Sequence, residues 1–176
     1  MVSCLGITGY IVRNAYAHYF PYIDKYFTPF IPAVKKMSKK IKRDLAAENN
    51  EQIRLVPQLI GNRADEFLMM IRQLEDLGFT SVNLNFGCPS GTVVSKRKGA
   101  GFLEEPEELE MLLEEVLENS PLAVSVKTRV GIKDPDEWEA LCGVYAKFPL
   151  EELIIHPRLQ KDYYSGTPRM ETFARA

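Results

Sequence analysis

Polar and reactive side chains stand at the ends of four successive apolar segments of the chain. They are Gln58; Asn85 with Cys88; Lys127 with Arg129; and His156 with Arg158. A thiol or an imidazole can transfer a proton near neutral pH, an amide both donates and accepts, and a cation stabilises developing negative charge. Four successive segments that end in such groups are unusual for a purely structural rim. The pattern therefore predicts one site assembled from several elements.

The elements that must position these residues alternate in type along the chain. Strands are predicted at residues 25–30, 53–60, 81–85, 122–127 and 152–156, with helices at residues 10–20, 35–47, 62–77, from 106 onward and 134–146. Pro57 warns of a break in its strand, because proline removes a ladder donor. Repeated β-α units imply a parallel sheet, either open and doubly wound or closed as a (β/α)₈ barrel. In a barrel, functional groups cluster at the carboxyl ends of the strands.

Two helix starts carry sequence signals. Asn62 is a candidate N-cap for the helix that follows it. Asp134 can cap the later helix, with Pro135 at its first position and Glu137 completing a capping box. We therefore expect these helices to begin directly after Asn62 and Asp134.

Length and composition indicate one ordinary globular domain. The 176 residues are 45% hydrophobic and 26% charged, and no apolar run approaches the roughly 20 residues needed to cross a membrane. The first residues lack the features of a signal peptide, so we expect a cytoplasmic protein. Three scattered cysteines favour neither a disulfide framework nor a metal site. Cys4 and Cys142 are interpreted as small buried apolar residues.

Charge is unevenly distributed although the net charge is only −2. Eight glutamates and no basic residue lie between Glu104 and Glu118, which we interpret as the solvated face of a helix. Basic residues gather at Lys96, Arg97 and Lys98 and again near the strand ends named above. The whole-chain balance gives no indication of a polyanionic partner, so any such indication must come from the position of these groups.

Three segments together resemble the tRNA-dihydrouridine synthases, and two weaker early segments agree with them. The three are Asn83-Leu84-Asn85-Phe86-Gly87-Cys88-Pro89-Ser90, Val126-Lys127-Thr128-Arg129-Val130-Gly131, and the segment from His156-Pro157-Arg158 to Ser165-Gly166. The weaker ones are Gly6-Ile7-Thr8-Gly9-Tyr10 and Val56-Pro57-Gln58-Leu59-Ile60-Gly61-Asn62. The similarity covers essentially the whole chain in the family's order.

The resemblance implies a fold of the (β/α)₈ barrel type and a defined chemistry. The family reduces the C5=C6 bond of uridine in tRNA with FMN, which NADPH or NADH reduces in turn. By this likeness Cys88 is the acid that protonates C5, a role suited to a thiol that is protonated at neutral pH yet able to release its proton. Gln58, Lys127 and His156 then lie against the flavin. Asn85 and Arg158 hold the target base.

The tRNA itself is the implied partner. A base within folded tRNA must be extruded to reach such a pocket. Lys96, Arg97 and Lys98 follow Cys88 in the chain, so we expect them at the pocket mouth, paired with phosphates.

The resemblance also predicts a partial barrel. A complete (β/α)₈ barrel takes at least about 200 residues. Residues 1–176 are therefore interpreted as an N-terminal fragment of the catalytic domain, with about six β-α units and without the last strands or the C-terminal helical domain. Ser3-Cys4-Leu5 reads as a shortened first strand. Unclosed edges would favour self-association or a completing partner.

Two other functions stay open at this point. Flavin enzymes that act on free pyrimidines, such as dihydroorotate dehydrogenase-like proteins, also carry Asn-x-x-Cys-Pro-like segments, although the basic loop and the segment after His156 favour the tRNA enzyme. A catalytically silent fragment that binds tRNA or a partner is the other alternative.

Overall fold

The computed structural model describes residues 8–174, and their centre is a five-stranded parallel sheet. In spatial order its strands are β2 (Ile31–Pro32), β4 (Gln58–Ile60), β5 (Ser81–Phe86), β6 (Ala123–Arg129) and β7 (Leu153–His156). Each strand is parallel to its neighbours. A second parallel pair joins β1 (Tyr26–Phe27) to β3 (Leu55–Val56).

Helices connect the strands of the sheet. They are α1 (Tyr10–Tyr19), α2 (Lys39–Leu45), α3 (Ala64–Glu75), α4 (Gly91–Val94), α5 (Pro106–Asn119), α6 (Glu137–Tyr145) and α7 (Met170–Phe173), with 3-10 turns at Ala47–Asn49, Gly99–Glu104 and Gln160–Asp162. The predicted alternating α/β fold with a parallel sheet is confirmed, and within the described residues the sheet is open, with β2 and β7 at its edges. The shortened first strand and Cys4 lie outside the described residues.

Strand β5 shows how the sheet separates core from site. Val82, Leu84 and Phe86 are fully buried in the hydrophobic core, where the Phe86 ring lies 6.3 Å from that of Phe67 on α3. Successive strand residues point to opposite faces, so Asn83 and Asn85 face the other side. The α5 leucines complete the apolar layer. This alternation places apolar groups toward the helices and amides toward the site.

Pro57 breaks its strand, as the sequence warned. Leu55–Val56 pairs with β1, whereas Gln58–Ile60 pairs with β2 and β5. Pro57 still contributes its carbonyl, which accepts a hydrogen bond of 2.9 Å from the amide of Asn83. The proline removes one N–H donor from the strand, and the residues after it still pair in register with β2 and β5.

Three predicted helix starts are wrong. Arg63 is the N-cap of α3, and the Asn62 side chain instead donates to the carbonyl of Lys96 at 3.2 Å. Helix α2 begins at Lys39, because the Ser38 side chain caps it there, and residues 35–38 before it form a bend and irregular backbone.

The start of α6 shows the third difference. The helix begins at Glu137, whose carboxylate accepts hydrogen bonds from the amides of Lys133 at 3.0 Å and Asp134 at 2.9 Å. Asp134 accepts from the amide of Asp136 and so shapes a turn before the helix. One bond of the predicted capping box is present, from the amide of Asp134 to the carboxylate of Glu137. The Asp134 side chain, however, binds the amide of Asp136 within a turn that precedes the helix.

No helix within residues 8–174 is long and apolar enough to span a membrane. Over the same residues there is no group of three or more metal-ligating side chains.

Candidate active site

A chain of buried amides and a hydroxyl crosses the middle of the sheet, from Gln58 at the start of β4 to Ser125 within β6. Gln58 donates from Nε2 to Asn83 Oδ1 at 2.8 Å, and Asn85 donates from Nδ2 to Gln58 Oε1 at 2.8 Å. Asn83 donates in turn to Ser125 Oγ at 2.9 Å. Gln58 and Asn83 are essentially fully buried. Since buried polar groups are costly unless paired, this network fixes the three strands against one another and orients the amides.

The Cys88 loop is held by Asn85, the last residue but one of β5, which leads into the loop. The Oδ1 atom of Asn85 accepts hydrogen bonds from the amides of Gly87 and Cys88, both at 3.0 Å. On the other side the carbonyl of Cys88 accepts from the amide of Ala100 at 3.0 Å. The Cys88 side chain is half-buried. Asn85, predicted to bind the base, therefore also shapes the turn that presents the thiol.

Arg129 joins two loops at the carboxyl ends of the strands. Its Nε donates to the carbonyl of Gly87 at 2.8 Å, and its Nη1 donates to the carbonyl of Leu159 at 2.8 Å. The guanidinium also lies over the ring of Tyr164, 5.5 Å from the ring centroid. Burial lowers the pKa of Arg129 from its ordinary value. Arginine offers donors in a fixed fork, so one buried side chain can fix both the Cys88 loop and the segment after His156.

Lys127 stands two residues before Arg129, directly opposite Asn85 in the strand register. It is half-buried, and burial, followed by repulsion from Arg129, lowers its pKa from the ordinary value. Its backbone carbonyl lies beside the residue before Cys88, because the oxygen is 3.6 Å from the position that a Cβ atom would take on Gly87. Within residues 8–174 the ammonium has no hydrogen-bond acceptor or carboxylate partner. A desolvated cation without a partner is suited to an electron-rich ligand.

His156 and Arg158 form a pair at the end of β7. Arg158 Nη1 lies 2.9 Å from His156 Nε2, and arginine can only donate, so Nε2 is the acceptor and the neutral ring carries its proton on Nδ1. Burial first, and then Arg129, Lys127 and Arg158, lower the pKa of His156 to about 4. The imidazole is therefore neutral at pH 7. Arg158 also donates to the carbonyls of Ser165 at 3.2 Å and Gly166 at 2.9 Å, which closes this loop on itself.

The basic loop after Cys88 lies at the surface. Lys96 and Arg97 are exposed and Lys98 is half-buried, in a turn where Arg97 has a positive φ of 52°. Arg97 forms an ion pair of 2.9 Å with Glu108 of α5. Both members of the pair are about half exposed, so the pair is weak and easily exchanged for another anion. One of the acidic residues interpreted as a solvated helix face thus has a specific partner.

The structure brings most of the predicted site residues together. Gln58, Asn85 and Cys88 are linked directly or through backbone bonds, and the strand register sets Lys127 opposite Asn85 and His156 opposite Arg129. The three basic residues lie in the turn that follows Cys88, where the Asn62 side chain donates to the carbonyl of Lys96 and Ala100 donates to the carbonyl of Cys88. The sequence pointed to Arg129 only as a basic strand end. Asn83 and Ser125 were missed, although their alternation with buried apolar residues along β5 and β6 carried the signal.

Comparison with known proteins identifies the family of this chain. The family model described as dihydrouridine synthase matches residues 4–174. The tRNA-dihydrouridine(20/20a) synthase of Vibrio parahaemolyticus is 34% identical over 129 residues, which is 71% of this chain and 39% of that protein. A probable tRNA-dihydrouridine synthase of Staphylococcus epidermidis is 34% identical over 108 residues, 61% of this chain and 33% of that protein. The chain thus spans between a third and two fifths of the length of these curated relatives. A match over nearly every residue is the basis for assigning the family: this chain belongs to the dihydrouridine synthases.

Proposed function

We propose that this chain carries the uracil-reducing site of a tRNA-dihydrouridine synthase and acts on uridine in tRNA. The observation that carries the proposal is the strand register in a chain of this family. Lys127 pairs with Asn85, which holds the Cys88 loop, and His156 pairs with Arg129 two residues after Lys127. The family match favours this function over the dihydroorotate dehydrogenase-like alternative. The names of the relatives favour tRNA as the substrate. We also propose that the protein is cytoplasmic and that residues 1–176 form a partial barrel domain.

The residues present suit FMN, by the chemistry of the donor set. Lys127, a half-buried ammonium with no partner among the described residues, provides a cation for the electron-rich N1/O2 edge of an isoalloxazine. His156 offers an N–H at Nδ1, since Arg158 occupies Nε2. Gln58 is proposed beside them at the pyrimidine edge. When bound and reduced by NADPH or NADH, FMN would supply hydride to C6 of the uracil.

The side chains of this chain have distinct tasks in that proposal. Cys88 donates the proton to C5 from the thiol that the Asn85 turn presents. Asn85 has one amide hydrogen left beside its bonds to Gln58 and the loop, and this hydrogen is available to a uracil carbonyl. Arg158 has a structural task first, because all of its hydrogen bonds close the loop after His156; we propose that it contacts the base from that loop. Lys96, Arg97 and Lys98 would pair with tRNA phosphates.

The test is a comparison of Cys88→Ala with Cys142→Ala in the full chain, supplied with FMN, NADPH and unmodified tRNA. We expect the Cys142→Ala variant to form dihydrouridine at the wild-type rate, because Cys142 lies on α6 away from the site. Cys88→Ala should still let NADPH reduce the flavin but should form dihydrouridine about 10²- to 10⁴-fold more slowly, the usual contribution of a positioned acid. Quantification of dihydrouridine by mass spectrometry of digested tRNA gives the readout.

Three results would count against specific parts of the proposal. Wild-type turnover by Cys88→Ala would remove Cys88 as the proton donor. Reduction of free pyrimidine in place of tRNA would support the alternative enzyme. A folded chain that binds tRNA but neither FMN nor NADPH would support the catalytically silent fragment.

A further inference from the structure

A second set of cations lies outside the candidate active site, between β2 and the end of α2. Residues 35–43, here termed the cationic segment, contain six basic residues: Lys35, Lys36, Lys39, Lys40, Lys42 and Arg43. All six side chains are exposed. Asp44, which follows the segment, forms an ion pair with the buried Arg13. The segment is therefore strongly positive in a chain whose net charge is −2.

These six cations differ from most other surface cations by having no ion-pair partner. Among the described residues, Lys25, Arg54, Arg63, Arg97, Lys133, Lys147 and Arg169 each lie against a carboxylate. None of the six forms an ion pair or a side-chain hydrogen bond within residues 8–174. In the loop after Cys88, Arg97 pairs with Glu108, and after α6 Lys147 pairs with Glu110. Within residues 8–174 no carboxylate pairs with any cation of the cationic segment.

The arrangement works against the stability of α2. Lys39 lies three and four residues before Lys42 and Arg43, positions at which like charges repel across a helix surface. Lys39 and Lys40 also occupy the first turn, where the helix dipole disfavours cations. Isolated effects of this kind amount to tenths of a kcal/mol each. Lys42 and Arg43 lie in the last turn, where the dipole favours cations, but they still repel Lys39. A polyanionic ligand would relieve this repulsion and the unfavourable charges in the first turn together.

The segment is nevertheless held firmly, with the cations outward. Met37 and Leu45 are buried in the core, and Ile41 packs against it. Gln73 of α3 accepts a hydrogen bond from the amide of Met37 at 3.1 Å and donates to the carbonyl of Lys35 at 3.2 Å. The backbone is thus fixed by apolar and amide contacts, which leaves the charged side chains for an external partner.

The segment also starts at the edge of the sheet that carries the candidate active site. The amide of Ala33, just after β2, donates to the carbonyl of Ile60 at 2.8 Å. Two residues beyond Ile60, the side chain of Asn62 donates to the carbonyl of Lys96. The two basic regions therefore begin at neighbouring positions on one rim, so a single extended polyanion can meet both.

We propose that the cationic segment is a second phosphate-binding surface, which holds the backbone of the substrate RNA while the loop after Cys88 contacts it nearer the site. This inference rests on the proposed function for the identity of the RNA. Sequence-independent contacts between lysine or arginine and phosphate release counterions, so they contribute affinity that falls steeply with salt. The surface therefore determines how tightly RNA binds at a given ionic strength, separately from reduction of the base.

The experiment measures equilibrium binding of unmodified tRNA by fluorescence anisotropy at salt concentrations from about 50 to about 300 mM, over which counterion release changes affinity steeply. FMN and NADPH are left out, so that no turnover occurs. The test variant is Lys36→Gln/Lys40→Gln/Arg43→Gln. The matched control is Lys25→Gln/Arg54→Gln/Lys147→Gln, which removes three cations that are already paired. Both triple variants change the net charge by the same amount. Circular dichroism melts establish that each is folded.

The test variant should bind tRNA at least tenfold more weakly near 100 mM salt, and the slope of log K against log[salt] should fall by about two. The control should stay within about twofold of the wild type. Equal binding by the wild type and the test variant would overturn this inference while leaving the Cys88 experiment unaffected. Loss of binding in both triple variants alike would also overturn it, since only net charge would matter. Binding of the cationic segment to anionic lipid vesicles, with no effect on tRNA, would assign the surface to membranes instead.

Discussion

Two cations two positions apart on β6 illustrate how single residues divide the work at this site. Arg129 is buried and uses its guanidinium to bind the carbonyls of Gly87 and Leu159, so its charge is satisfied by the protein. Lys127 is half-buried and has no such partner among the described residues. Alternate residues on a strand share a face, so the same surface holds one cation committed to structure and one left for a ligand.

The difference leads to a prediction for Lys127→Met. The lowered pKa of Lys127 means that burial disfavours its charged form in the folded state, so removal of the charge should raise the free energy of unfolding at pH 7. The same change should weaken FMN binding at least tenfold, the loss expected for one charge-assisted hydrogen bond. Urea denaturation measures the first effect and quenching of flavin fluorescence the second.

Lys161→Met is the matched control, because Lys161 is exposed in the turn after β7. It should change the free energy of unfolding by less than about 0.5 kcal/mol and leave FMN binding unaltered. If Lys127→Met lowered stability and bound FMN as tightly as the wild type, the ammonium would be a structural group, and its proposed place beside the flavin would be wrong.

At the scale of elements, the Cys88 loop depends on a close approach between two stretches of backbone. Gly99 has a φ of +55°, and a Cβ atom added there would lie 2.8 Å from the carbonyl oxygen of Cys88 and 2.9 Å from its Cβ. The approach brings the amide of Ala100 to the carbonyl of Cys88. Glycine is thus required on two grounds, the left-handed backbone and the lack of space.

Gly99→Ala should therefore lower the free energy of unfolding by about 2–3 kcal/mol and displace the Cys88 backbone. Gly91→Ala is the control, because Gly91 lies in α4, between Cys88 and Gly99, and a Cβ atom added there would have no neighbour within 4 Å. That change should be neutral or stabilising by up to about 1 kcal/mol. Denaturation of both variants and hydrogen exchange at the Cys88 amide separate them. A Gly99→Ala variant as stable as the wild type, with unchanged exchange, would contradict the role given to this contact.

The elements also show which features of the fold are predictable from sequence. Periodicity places β5, β6 and β7 to within two residues, and Pro57 correctly marks a break, because both are local effects of the chain. The edge strand β2 lies just beyond the strand predicted at residues 25–30, because two residues are too short to show a period. The caps at Asn62 and Asp134 were misplaced because each side chain has a competing partner, Lys96 in one case and a turn in the other. Those partners depend on tertiary structure or on loop geometry that short motifs do not specify.

The site shows the same division between local and distant information. Motif likeness is sufficient to pick out Cys88, Lys127 and His156 as candidates. The role of Arg129 depends on the carbonyls of Gly87 and Leu159, which lie 42 and 30 residues away along the chain. Backbone carbonyls carry no residue identity, so no sequence pattern marks them as the acceptors of a buried arginine.

At the scale of the whole molecule, charge is divided between opposite tasks. The glutamates of α5 pair with Arg97 and Lys147 and so join neighbouring elements. Within residues 8–174 the cationic segment has no such pairs, and the cations around the candidate site are partly desolvated. Burial first, and then repulsion from Arg129, Lys127 and Arg158, lower the pKa of His156. The imidazole is therefore neutral because it is partly buried and because positive charge is concentrated around it.

This neutrality makes the stability of the whole fold depend on pH in a defined window. The pKa of His156 is about 4 in the folded chain and about 6.5 when unfolded. Above pH 6.5 the ring is neutral in both states and contributes no pH dependence. Between pH 6.5 and 4 the unfolded chain takes up a proton that the folded chain does not, so stability falls as pH falls. The loss attributable to His156 should reach roughly 2 kcal/mol by pH 4, after a discount for its partial exposure.

His156→Asn isolates that contribution, because the asparagine carbonyl can accept from Arg158 but does not titrate. Urea denaturation of the wild type and the variant should give curves that run parallel above pH 7 and converge, or cross, between pH 6.5 and 4, where the wild type alone loses the histidine term. His18→Asn, on the exposed side of α1, controls for the loss of a histidine as such and should follow the wild type throughout. A constant difference between His156→Asn and the wild type from pH 8 to 4 would show that the imidazole titrates alike in both states, and that the surrounding cations do not hold it neutral.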